Sequence, residues 1–293
     1  MDAAPYGQVE QAGPGVRRLL ARNPSPFTFT GTQTHIVGRG EVAVVDPGPD
    51  LLDHVTAILD ATRGERVATI LVTHTHRDHS PAAAALKAAT GAPIIGCALL
   101  TPPAGDGFSE AFDTNYAPDR VLGDGEAVAG PGWTLRAVTT PGHMSNHLCF
   151  AFEEERALFS GDHVMGWSTS VILPPDGHMG DYMASLAKLS GRDDRVYYPA
   201  HGQPVEAPAK LLRGLIAHRR SREAQIVRAL EAGPSDVETL VARCYKALEA
   251  VLVPAAGASV LAHLIFLEEQ GRVVHSDAKW ALVDGSGVRE IRG

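Results

Sequence analysis

The hydrophobic pattern changes character twice along the chain. Residues 34–38 (THIVG) and 41–48 (EVAVVDPG) are short β-branched runs around a Gly-Arg-Gly at 38–40, which predicts two strands and a turn. Residues 51–64 (LLDHVTAILDATRG) carry apolar positions at helical spacing and stop at Gly64. VATILV at 67–72 is apolar and β-branched, the pattern of a short buried strand. SPAAAALKAATG at 80–91 predicts a helix capped by Ser80, with Pro81 in its first turn and Gly91 at its end. APIIG at 92–96 returns to strand. Further on, TLRAVTTPG, LCFAFEEE, ALFSGD and VYYPAHG read as strands that run into loops. Strands alternate first with helices and then follow in series, which predicts an α/β chain of sheets covered by helices.

The second change comes after about Pro208. LLRGLIAHRRSREAQIVRALEAG predicts a long helix. PSDVETLVARCYK follows, with Ser235 and Glu238 at the spacing of a capping box. SVLAHLIFLEEQG is a third helix closed by Gly271, and RVVHSDAKWALV predicts a hairpin with a Ser-Asp turn. Three helices and a two-stranded wing resemble a winged-helix module with its core at 218–285. The expected division is 1–210 for the larger domain and 211–293 for the smaller.

Composition narrows the function. Of 293 residues, 44% are hydrophobic and 20% charged, as in ordinary globular proteins. With 26 basic and 34 acidic residues the net charge is −8, so there is no chain-wide basic footprint for nucleic acid. From Leu212 to Gly293 there are 11 Lys/Arg against 10 Asp/Glu, a difference of +1, which gives the winged-helix segment little pull on DNA. Cys97, Cys149 and Cys244 are too widely spaced for a disulfide framework or a cysteine zinc site. The first residues lack a signal or transit pattern, and no apolar stretch is read as approaching a membrane span. The expectation is a cytoplasmic protein that does not engage a membrane.

Residues 73–80 (THTHRDHS) carry the chemistry. His74 and His76 directly follow a predicted strand and share a face of extended chain. Asp78 and His79 come as the chain turns into the next helix. Imidazole nitrogen and carboxylate oxygen gathered at a strand end suit zinc and its borderline-soft neighbours. No G-x-S-x-G elbow and no Walker A loop competes with this reading.

The motif H-x-H-x-D-H, here His74-Thr75-His76-Arg77-Asp78-His79, resembles the hallmark of the metallo-β-lactamase fold hydrolases. The likeness continues in order with Asp46 in AVVDPG, His143 in TPGH, Asp162 in FSGD and His201 in PAHG, over residues 23–205. The opening NPSPFTFTGTQTHIVG, the string TPGHMSNHLCFAFEEERALFSGD and the winged-helix tail resemble the beta-lactamase-like protein 2 group. Gln33 departs from that group's Asn in GTNT.

The resemblance implies a four-layer αββα sandwich followed by a winged-helix-like domain. It implies two zinc ions, with manganese or iron as alternatives: one held by His74, His76 and His143, the other by Asp78, His79 and His201, with Asp162 bridging. Asp46 would orient a ligand imidazole from behind. Asp78 would also orient a metal-bridging hydroxide, and His147 would line the cleft or protonate a leaving group. Trp167 and Tyr182 would border the substrate pocket. The expected reaction is hydrolysis of a small ester, thioester or lactone. The alternatives are an endoribonuclease acting on single-stranded RNA, weak β-lactam opening, and a binding protein with a vestigial site. Oligomeric state is left open.

Overall fold

A computed structural model of the chain describes residues 5–101, 111–246 and 248–283. Its contacts define two compact units. The first holds the chain up to Pro141, with 146–170 and 191–208. The second holds 142–145, 171–190 and the chain from Ala209.

The first unit contains two sheets. Seven strands lie in sequence order: β1 (Glu10–Gly13), β2 (Val16–Leu20), β3 (Gln33–Arg39), β4 (Glu41–Val45), β5 (Arg66–Val72), β6 (Ile94–Gly96) and β7 (Arg120–Val121). Pairing is antiparallel from β1 to β4 and parallel from β4 to β7. The second sheet has the order β12-β11-β10-β9-β8, from β8 (Ala127–Gly130), β9 (Trp133–Thr139), β10 (Leu148–Phe152), β11 (Ala157–Gly161) and β12 (Val196–Pro199). Helix α1 (Leu52–Ala61) packs on β2, and α2 (Ala82–Thr90) on β5 and β6.

One apolar core joins the two sheets. Ile36, Val44, Ile70 and Leu71 from the first meet Leu135, Phe150 and Phe159 from the second, all essentially without exposed surface. Side chains of this size contribute about 1.5–3 kcal/mol each when fully buried. The alternation expected of a one-sided strand is absent from β5 because both its faces are covered, by α2 and by the second sheet. This core holds the carboxyl ends of β4, β5, β11 and β12 in place. The residues that follow those ends are Asp46, the 73–80 segment, Asp162 and His201.

The second unit contains α3 (Met179–Ser190), α4 (Pro208–Leu230), α5 (Val237–Cys244), α6 (Val253–Glu269) and a hairpin of β13 (Val273–Ser276) and β14 (Lys279–Leu282). Ile226, Leu230, Leu240, Val260, Leu264, Leu267 and Trp280 form its core. The hairpin turns through Asp277 and Ala278, both left-handed at φ 48° and 62°, the backbone of a two-residue type I′ connection.

Three local expectations are corrected. Ser80 does not cap α2: its hydroxyl donates to Asp113 at 2.7 Å, and Pro81 stands at the N-cap without a side-chain bond. Asp236, not Ser235, caps α5, accepting from the Thr239 N–H at 2.7 Å, while Ser235 pairs through its backbone with Trp280. The third correction concerns length. Read from Ser259, the last helix is short, but Ala250–Glu269 forms 20 helical residues apolar enough to cross a membrane by length and composition. Leu264 and Leu267 from this stretch are core residues of the second unit, whereas Val251, Leu252 and Val253 are exposed.

Candidate metal centre

The site is built around Asp46, which follows β4 in a left-handed conformation at φ 47°. Its backbone is pinned by Asp46 N–H donating to the Leu71 carbonyl at 2.8 Å and by the Thr34 hydroxyl on its carbonyl at 2.7 Å. Its carboxylate accepts from the Thr73 N–H and the Thr73 hydroxyl, each at 2.8 Å, and from His79 Nδ1 at 3.1 Å. Because the Thr73 hydroxyl donates to Asp46, it accepts from His74 Nδ1 at 3.0 Å. One buried carboxylate therefore fixes two imidazoles, His79 directly and His74 through a threonine. Each ring keeps its proton on Nδ1 and presents the Nε2 lone pair forward.

The other rings follow the same rule. His201 Nδ1 donates to the Gly31 carbonyl at 3.1 Å, and His143 Nδ1 to the Val171 carbonyl at 2.6 Å. A carbonyl only accepts, so both rings hold Nδ1–H and carry the lone pair on Nε2. His76 is the exception, offering Nδ1 at 3.0 Å from His74 Nε2.

Six of the seven expected ligands lie in the first unit. Asp78, His79 and His201 place one ligand atom each within 4.8 Å of one another, and His74, His76 and Asp162 do the same. His201 Nε2 is 3.1 Å from Asp78 Oδ2 and 3.2 Å from Asp162 Oδ1, and His79 Nε2 is 3.3 Å and 3.5 Å from the same oxygens. The Thr32 hydroxyl donates to Asp78 Oδ2 at 3.2 Å. His79 has no exposed surface, yet its Nε2 makes no well-formed hydrogen bond. A nitrogen in that position, facing two carboxylates, fits a cation ligand. His143 belongs to the segment 142–145 of the second unit.

Burial alone would raise the Asp78 and Asp162 carboxyls, but the adjacent His79 and His201 hold both well below the usual carboxylate range. The imidazoles respond in the opposite sense. Burial would lower them, but Asp78 and Asp162 raise His79 well above its ordinary value, and Asp162 and Asp78 raise His201 to about 10. Cation and proton compete for the same ring nitrogens.

Substituting Asp46 by Asn is expected to lower metal affinity about ten- to a hundred-fold. Asn tolerates the left-handed backbone, so the change tests the carboxylate and not the turn. Competition against a chelator of known affinity reads the effect, and parent-like affinity would reduce Asp46 to a turn residue.

The remaining expected residues are placed as follows. His147 is buried, with Nδ1 against the Thr140 hydroxyl at 2.9 Å and Nε2 accepting the Asp162 N–H at 3.2 Å. That geometry positions the Asp162 backbone. Trp167 is 38% exposed and stacks on Phe29 at 4.9 Å between ring centroids. Tyr182 has no exposed surface and lies in the second unit beneath the Arg219 guanidinium, 5.1 Å from its ring centre, so it packs rather than borders an open pocket. Sequence reasoning missed Thr73, Thr32 and the Gly31 carbonyl. Thr73 and Thr32 belong to quoted motifs, but a backbone acceptor has no residue signature. Gln33, the departure noted above, is buried and fastens the His201 turn: its N–H donates to the Ala200 carbonyl at 2.8 Å and its amide to the Gly202 carbonyl.

The family model "Metallo-beta-lactamase superfamily" matches residues 28–201, and "Beta-lactamase associated winged helix domain" matches 237–280. An atrochrysone carboxyl ACP thioesterase from Cryptosporiopsis sp. (strain 8999) is 35% identical over 235 residues, 78% of this chain and 66% of that protein. The chain thus spans just under two thirds of that relative's length. A beta-lactamase-like protein 2 homolog from Caenorhabditis elegans is 32% identical over 229 residues, covering 76% of this chain and 73% of that one. The crystal structure of a metallo-beta-lactamase family protein from Thermus thermophilus superimposes with a TM-score of 0.75 at 25% identity, over 93% of this chain and all of that one. The chain belongs to the metallo-beta-lactamase superfamily and carries that family's associated winged helix domain after the α/β fold.

Proposed function

We propose that this chain is a metal-dependent hydrolase that holds two zinc ions and cleaves a thioester, ester or lactone. The observation that carries the reading is the shared tautomer of His74, His79 and His201, whose Nδ1 protons are fixed on oxygen acceptors so that Nε2 carries the lone pair able to ligate. In this reading His74, His76 and His143 would hold one cation and Asp78, His79 and His201 the other, with Asp162 available to both. When bound, the cations supply a Lewis acid and a water ionised near neutral pH.

The chain's own residues do the rest. Asp78 stays anionic beside His79 and His201 and is aimed by the Thr32 hydroxyl, so it would orient the nucleophile. Asp46 keeps His74 and His79 in their ligating tautomer. His147 positions Asp162 from below. Zinc is favoured over harder cations by five imidazoles among seven ligands, with manganese and iron as the nearest substitutes.

Two considerations support the thioester. The Cryptosporiopsis relative is named as an acyl-carrier-protein thioesterase. A thiolate leaving group also matches a borderline-soft cation. The ribonuclease reading gets no help from a net charge of −8 against a polyanion. The vestigial-site reading is opposed by a full ligand set.

The test is a parallel assay of zinc-loaded protein on acyl thioesters, lactones, a bis-aryl phosphodiester, single-stranded RNA and a chromogenic β-lactam. Acyl thioesters are expected to show kcat/KM at least ten-fold above every phosphodiester. RNA cleavage with inert thioesters would overturn the proposal.

A further inference from the structure

We infer that Phe29 and Trp167 form an aromatic platform that binds the flat, aromatic acyl portion of the substrate. The inference rests on the hydrolase reading above and adds a substrate class to it.

The two rings are stacked nearly parallel, 4.9 Å between centroids and 16° between planes, and both are substantially exposed, at 45% and 38%. Aromatic pairs at this separation are stabilised by offset stacking, and the outer face of such a pair accepts a third flat ring in the same way. Each ring has few torsions, so an arriving arene orders little that is not already ordered.

Both rings are tied to a metal-ligand turn. Phe29 lies two residues before Gly31, whose carbonyl accepts His201 Nδ1–H. Trp167 follows Gly166, whose N–H donates to the His201 carbonyl at 2.9 Å. Neither glycine has room for a side chain. A Cβ at Gly31 would lie 2.1 Å from the Ala21 carbonyl oxygen, and one at Gly166 would lie 1.9 Å from the Gln203 carbonyl oxygen. The backbones that carry the rings are thus both hydrogen-bonded to His201, and the rings stack on each other.

Phe29 is also in the left-handed region, at φ 56°, where a bulky side chain is an outlier. A glycine or asparagine would occupy that position with less strain. Strained residues cluster where a side chain must be presented. Phe29 further lines a groove of about 240 Å³ with Arg18, Leu20, Gln33 and Gln203, so the apolar platform borders space edged by polar groups. That combination suits a flat ring system bearing oxygen substituents better than a flexible alkyl chain.

Tryptophan fluorescence provides a readout that does not depend on turnover. Trp133 and Trp280 are 1% and 4% exposed, so a soluble quencher reports on Trp167. With 2-naphthoate as probe, saturable quenching is expected. Phe29→Ala and Phe29→Leu should weaken it at least ten-fold, the second variant keeping bulk but not the ring. Trp167→Ala should abolish the signal, and Phe27→Ala, exposed and outside the stack, should leave it as in the parent. Cyclohexanecarboxylate should compete at least ten-fold more weakly than naphthoate. In turnover, the preference in kcat/KM for a naphthoyl over an octanoyl thioester should fall at least ten-fold in Phe29→Ala.

Linear, unsaturable quenching, parent-like binding by both Phe29 variants, or equal competition by the alicyclic acid would each overturn the platform. Saturable, Phe29-dependent naphthoate binding with no hydrolysis of any acyl substrate supports the platform and overturns the hydrolase reading instead. Acyl hydrolysis without naphthoate binding overturns the platform alone.

Discussion

Asp78→Asn is expected to lower kcat by about two to three orders of magnitude while the protein stays folded, the scale of a lost preorganised charge at a reacting centre. Asn has nearly the shape of Asp and still accepts from the Thr32 hydroxyl, which reaches Asp78 Oδ2 at 3.2 Å. The side chain is a quarter exposed, at 25%, so the cost to folding is small. The negative charge beside His79 and His201 is lost. Metal content measured on the same sample separates loss of chemistry from loss of metal. A variant with full metal and parent-like kcat would sink the role given to Asp78.

The second large effect is metal removal. A chelator is expected to abolish hydrolysis, and zinc or manganese to restore it. Stoichiometry should approach two per chain by elemental analysis, and fewer than one in carefully purified protein would count heavily against a two-metal site. Thermal unfolding follows the same linkage: a cation at a thousand times its Kd adds about 4.1 kcal/mol.

The pH dependence has a definite sign. His79 is raised well above its ordinary value and His201 to about 10. Their protonated forms therefore stabilise the cation-free protein below the unfolded imidazole value, and that contribution is lost as pH rises through about 10. Cation binding needs the same nitrogens unprotonated, so affinity must climb with pH and protons must leave on binding. Calorimetry at pH 7.5 in two buffers of different ionisation enthalpy should report net proton release on cation binding. Zero release would contradict the charge state assigned to these rings.

The sequence made side-chain chemistry legible and left backbone chemistry hidden. His74, His76, Asp78 and His79 fall within six positions just after a predicted strand, whereas Asp162 and His201, each following a short apolar strand, are picked out by the family resemblance. The acceptors that orient them were harder to see. The Gly31 and Val171 carbonyls carry no residue identity, and which of them meets a ring depends on chain separated by 170 and 28 positions. Ser80 and Ser235 matched capping patterns, but tertiary partners claimed them, Asp113 for one and Trp280 for the other. Tyr182 drew attention as an aromatic after Asp162, yet helix α3 turns its ring inward beneath Arg219. The last helix begins upstream of Ser259 because Pro254 lies in its first turn, where proline is tolerated.

Asp46 has a consequence for how the centre fills. The same carboxylate steadies a ring of the first ligand trio through Thr73 and a ring of the second by direct contact. If each ligand group holds a cation, the two share one support, and a cation in either would stiffen a support of its neighbour. In the two-cation reading, loading would be biased toward both or neither.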